Sequence, residues 1–130
     1  MSEANKEANR AVWFDIPVTD LDRATAFYAA VLGVAVTKES FENFEFAVID
    51  HGPGNGGCLV KPVSPDWKPG RGGILIYLNA NGRIQDAVKQ VEAHGGEVLE
   101  GVHAIGPHGY RAMVLDPDGN QFALHSDTDA

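Results

Sequence analysis

Residues 12–33 read VWFDIPVTDLDRATAFYAAVLG. In its first third, Val12, Phe14, Ile16 and Val18 share one parity, while Trp13, Asp15 and Pro17 hold the other. Alternation of β-branched and aromatic residues with period two predicts a strand over residues 11–18. Thr19 or Asp20 then stands where a helix N-cap belongs, and Asp22 suits the positive end of the helix dipole. Leu21, Ala24, Phe27, Tyr28, Val31 and Leu32 recur at helical spacing, and Gly33 supplies the stop. Strand, capped helix and glycine stop follow one another without a spare residue.

Three short extended runs come next, at residues 34–38, 43–50 and 57–62, with the turn-forming HGPGNGG before the last. A Pro/Gly-rich connector follows over residues 63–72, and then the order repeats. GILIYLN at 73–79 is strongly β-prone, and residues 83–94 carry Ile84, Ala87, Val88 and Val91 on one helical face before Gly95-Gly96. Runs at 97–102, 110–115 and 120–125 complete the second half, the last two joined by DPDGN. The sequence therefore predicts an α+β fold of two tandem βαβββ modules, 11–62 and 73–126. These would form one domain over 11–126, a curled mixed sheet around a cleft, preceded by a flexible arm over 1–10.

The 130 residues suit one domain, and 44% hydrophobic against 22% charged residues is a globular balance. Ten basic against eighteen acidic side chains give a net charge of −8, which repels phosphate backbones and anionic lipid and argues against nucleic-acid or membrane partners. The polar start carries no apolar segment of the signal-peptide kind, and no apolar run reaches the ~20 residues of a membrane helix. With a single cysteine, Cys58, there is no internal disulfide, and a cytoplasmic location is expected. Phosphate-binding glycine loops and a nucleophile elbow are absent.

Together the opening V-x-D-L-x-R-A-x-x-F-Y-x-x-V-L-G (Val18 to Gly33) and the closing AMVLDPDGNQFALHS resemble the vicinal oxygen chelate superfamily, which includes glyoxalase I, extradiol dioxygenases and bleomycin-resistance proteins. The resemblance spans residues 11–126 and implies the duplicated fold just described, commonly as a homodimer. It fixes no reaction, because one fold hosts many chemistries. Metal-dependent members hold a divalent ion with His and Glu from the first and last strand of each module. Carried onto this sequence, those positions fall on Trp13, Gly73 and Ala123, with the fourth near Val60. None of these side chains ligates a metal, so neither metal nor other cofactor is expected.

Strand parity places Trp13 and Asp15 on the cleft side of the first strand and Gly73, Leu75 and Tyr77 on the fifth, with Ile74 and Ile76 packed inward. Gln121, Ala123 and His125 fall on the cleft side of the last strand, and Cys58 and Val60 on that of the fourth. Trp13 and Tyr77 are candidates for stacking on a planar ligand; alternatively Trp13 fills the space that a metal would take. The GPHGYR loop adds Tyr110 and Arg111, the latter suited to a carboxylate or phosphate. Three functions follow as expectations, the third being a subunit or interaction module whose cleft is vestigial. The first is a metal-free small-molecule binding protein of the glyoxalase/bleomycin-resistance type, its cleft taking an apolar or aromatic compound; a cationic one would suit Asp15 and the net charge. The second is a lyase, isomerase or dioxygenase-like enzyme using His125 and Asp15 as acid–base groups or an atypical metal centre. Cys58 is expected to be a buried thiol without nucleophilic character.

Overall fold

Asp20 caps the first helix as its chemistry demands: its side chain accepts the Arg23 N–H at 3.0 Å. Helix α1 (Leu21–Leu32) ends at Gly33, whose φ of 67° is the left-handed stop that glycine tolerates. The computed structural model describes residues 9–130, so most of the expected arm lies outside the described residues. Before α1 comes β1 (Trp13–Pro17), and after it β2 (Val36–Phe41), β3 (Phe44–Ile49) and β4 (Gly56–Val60). The second half contributes β5 (Tyr77–Asn79), α2 (Ile84–Ala93), β6 (Glu97–Ala104), β7 (Tyr110–Leu115) and β8 (Gln121–Ser126), with a short 3-10 turn, Gly106–His108, ahead of β7.

Two four-stranded mixed sheets result, ordered β1-β4-β3-β2 and β5-β8-β7-β6. The modules are thus the same topology twice: the outer strands β1 and β5 run parallel to β4 and β8, and all other pairs are antiparallel. Backbone hydrogen bonds superimpose the modules residue by residue. Val18 N–H donates to the Val60 carbonyl at 2.9 Å, and Ala80 N–H donates to the His125 carbonyl at 2.8 Å. Val18 therefore corresponds to Ala80 and Val60 to His125. One apolar core joins both halves, drawing Phe27, Val31 and Leu59 from the first and Ile84, Val114 and Leu124 from the second. Among the described residues no helix is long and apolar enough to cross a membrane.

Two local expectations need correction. β2 begins and ends later than residues 34–38, because it pairs with the whole of β3 from Val36↔Ile49 to Phe41↔Phe44. More consequentially, GILIYLN is strand only from Tyr77. Gly72 and Gly73 take φ of 97° and 76°, outside the extended region, and Ile74 is 90% exposed instead of packed inward. Only Ile76 joins the core, its carbonyl accepting Ala123 N–H at 2.9 Å.

The DPDGN turn does more than join β7 to β8. Asp116 is buried: its Oδ1 accepts the N–H groups of Asp118 and Asn120 at 2.8 and 3.0 Å. Its Oδ2 accepts the amide of Asn120 at 2.9 Å and the phenol of Tyr28, from α1, at 2.7 Å. Arg23 and Thr19 hold the adjacent Asp118, so the first helix is tied to the second module's turn twice over. Burial and the neighbouring Asp116 carboxylate raise the Tyr28 pKa well above its ordinary 10.0. Above pH ~10 the unfolded chain releases this proton while the folded chain keeps it, so stability falls as pH rises, by up to about 1.4 kcal/mol per unit. Denaturant titrations at pH 8 to 11 should show that loss in the wild type and less of it in Tyr28→Phe; parallel slopes would show that Tyr28 is not its source.

Candidate functional site

On β1, Phe14 and Ile16 turn toward the helices, which leaves Trp13 and Asp15 on the opposite face. Register sets Asp15 beside Cys58 of β4, and the thiol donates to Asp15 Oδ1 at 3.1 Å. Burial first, and then the hydrogen bond and charge of Asp15, push the Cys58 thiol up to about 12, so almost none is thiolate at neutral pH. The expectation of an inert buried thiol agrees with this environment. Trp13 meets the His51 ring edge-on, centroids 5.7 Å apart, and Val60 follows Cys58 on the same face at the end of its strand.

The second module presents a different surface at the matching positions. Tyr77 lies opposite Ala123, and Arg111 of β7 lies opposite His125. The Arg111 side chain reaches across β8, where its Nη1 donates to Tyr77 Oη at 2.6 Å and its Nε donates to His103 Nε2 at 3.1 Å. His103 Nδ1 in turn lies 2.8 Å from the Gly101 carbonyl, which assigns the proton to Nδ1 and leaves Nε2 as acceptor. His125 Nε2 donates to the His108 carbonyl at 2.6 Å, and its ring lies 6.5 Å from that of Tyr77. Ala123 is fully buried on the strand between these groups. Tyr110 precedes Arg111 and by alternation points to the other face, with Ala112 and Val114, so its expected place in the cleft is corrected.

Between the modules lies a cavity of about 720 Å³ bounded by Trp13, Asp15, Trp67, Ile74, Ile76 and Gln121, with Gly73 also at its wall. A second hollow of about 400 Å³ is lined by Trp13, Asn55, Leu75 and Tyr77. Trp13, Phe14, Ile74 and Ile76 belong to both, so the two are halves of one cleft with Trp13 at the junction. The structure thus gathers Trp13, Asp15, Gly73 and Tyr77 around this cleft. Val60, Arg111, Ala123 and His125 line neither hollow directly, although Arg111 joins through the Tyr77 hydroxyl. Asp15 and His125 take separate partners, Cys58 and the His108 carbonyl, and form no ion pair with each other. Sequence reading missed Trp67, an aromatic in the Pro/Gly-rich connector, and its only signal was being large and apolar in a segment otherwise suited to solvent.

The sequence matches the profile of the Glyoxalase/Bleomycin resistance protein/Dioxygenase superfamily over residues 10–124. The chain belongs to that superfamily. Among solved structures it is similar to a glyoxalase/bleomycin resistance protein from Albidiferax ferrireducens T118, with TM-score 0.69 and 21% identity over 91% of this chain and 98% of that one. It is also similar to TnmS3, an antibiotic binding protein from Streptomyces sp. CB03234, with TM-score 0.66 and 24% identity over 91% and 95% of the two chains. The fosfomycin resistance protein FosX from Listeria monocytogenes gives TM-score 0.65 and 19% identity over 91% and 93%. At these identities the likeness establishes the fold alone. No curated protein matches the sequence.

Does the superfamily's metal fit this member? The backbone correspondence refines the positions to compare. With Val18 matched to Ala80 and Val60 to His125, Asp15 matches Tyr77, Cys58 matches Ala123 and Trp13 matches Leu75. Gly73 is therefore corrected as the counterpart of Trp13: it lies before the strand, and the equivalent residue is Leu75. Likewise Cys58, two residues before Val60, is the true partner of Ala123. Of these six side chains only Asp15 and Cys58 are donors a divalent ion would favour, and the thiol is held protonated. Tyr77 is occupied by Arg111, a cation that repels metal ions. Among the described residues no three His, Cys, Asp or Glu side chains converge on one point. The residues present do not fit the ion.

Proposed function

We propose that this superfamily member is a metal-free binding protein that holds an apolar or aromatic small molecule in the inter-module cleft. The position of Trp13 carries the reading. Trp13 is part of the wall of both hollows and only partly buried; Ile74 and Ile76 share both walls with it, and Tyr77 the smaller. An aromatic and aliphatic lining with a few polar groups at its edge is how proteins bind compact organic molecules. The inert Cys58 and the separated Asp15 and His125 leave the site without an assembled nucleophile or acid–base pair. That TnmS3 is described as an antibiotic binding protein lends the reading a precedent in the same fold. We place the protein in the cytoplasm, where a lone free thiol needs no oxidising compartment, and as a homodimer, since β1 and β5 are unpaired edges beside the exposed Ile74 and Trp67.

A thermal-shift panel of planar compounds should yield a ligand, and Trp13→Ala should weaken it by about thirtyfold, the roughly 2 kcal/mol of a buried aromatic contact. Affinity should be the same with and without chelator. If Trp13→Ala instead loses several kcal/mol of stability while its folded fraction binds normally, the indole is core and the reading fails.

A further inference from the structure

In this acidic chain, Arg23, Lys38 and Arg83 each meet a carboxylate within ion-pair distance. Arg111 does not. Its partners among the described residues are both neutral, a phenol and an imidazole nitrogen, although it is half-buried on the face of the second sheet. Holding a guanidinium in place with uncharged acceptors fixes its geometry without cancelling its charge. Of its five N–H groups, Nε and one on Nη1 are spent, and three remain. Tyr77 accepts from Arg111, so its own O–H is free to donate elsewhere, and 45% of the residue is exposed. Guanidinium and hydroxyl therefore stand side by side as donors, and Tyr77 carries them to the wall of the smaller hollow, at the Tyr77 end of the cleft.

We infer that this end of the cleft is an oxyanion subsite and that the ligand is an apolar or aromatic acid. Its ring or chain lies between Trp13 and Tyr77, and its carboxylate or equivalent oxyanion meets Arg111 and the Tyr77 hydroxyl. The inference rests on the binding function proposed above and names the ligand's chemical class. It also reverses, for this end of the cleft, the cationic ligand that net charge suggests. Net charge describes the field far from the protein, whereas a bound molecule feels the groups it touches.

The test compares 2-naphthoate with 2-naphthamide by isothermal titration against the full chain. The two probes share a ring system and differ in charge. Wild type should prefer the acid by at least tenfold, the scale of a charge-assisted hydrogen-bond pair. Arg111→Gln should abolish that preference, the acid losing far more affinity than the amide. Tyr77→Phe, a smaller change that keeps the ring, should reduce the preference by severalfold. An acid-to-amide ratio near one in wild type, or a ratio unmoved by Arg111→Gln, overturns the subsite while leaving the cleft's binding function standing. Binding of neither probe to wild type counts against both. A circular dichroism spectrum and Tm matching wild type certify that Arg111→Gln is folded.

Discussion

Replacing Asp116 with alanine is expected to cost about 4 kcal/mol, a fall in Tm of about 15 °C for a chain of this size. One buried carboxylate satisfies four donors here: two backbone N–H groups of its own turn, the Asn120 amide and the Tyr28 phenol. Alanine removes every acceptor at once and leaves the fully buried Tyr28 hydroxyl without a partner. Asn120 retains the Pro17 carbonyl at 2.8 Å, so the loss falls mainly on Tyr28 and the turn. Urea denaturation checks the figure. A loss under about 1 kcal/mol, the size of an ordinary surface substitution, would mean that water takes over the vacated role.

The second large effect is expected from Gly57→Ala. A Cβ at Gly57 would lie 2.5 Å from both the Phe14 ring and the Phe14 carbonyl oxygen, so side chain and backbone of β1 would have to move together. Overpacking against backbone costs about 3 kcal/mol. The displaced strand is the one that carries Trp13 and Asp15, so ligand affinity should fall along with stability. Gly101→Ala, with nothing within 4 Å of the added carbon and no positive φ, is the matched control and should shift neither by more than about 0.5 kcal/mol. Equal effects from the two variants would show that the close approach of β1 and β4 relaxes without consequence.

Much of this architecture is written locally. Asp20 and Gly33 bound α1 where their chemistry places them, and Tyr110 to Leu115 form a strand over the expected residues. What failed depended on partners. Residues 73–76 have the composition of a strand, but β5 borders only β8, and two glycines at positive φ lead the chain in from another direction. The candidate site divides the same way. Alternation put Trp13, Asp15 and Tyr77 at the cleft, but it did not foresee that Phe14 and Ile76, of the other parity, line the same hollows. The contact of Arg111 with Tyr77 joins β7 to β5 across β8, and no pattern within either strand announces a sheet order. Asp116 was legible as a turn residue and illegible as a buried one, because its decisive partner, Tyr28, lies 88 positions away.

That long-range partner changes what the duplication means for the chain as a physical object. The repeat suggests two halves that would each fold when separated between residues 60 and 77. Yet the first half's helix holds a phenol that has its acceptor only in the second half's hairpin, and the two halves share one core. The seam visible in the sequence is thus no seam in energy. The chain should melt in a single transition, a nick in the connector should leave the halves associated, and neither half should persist alone.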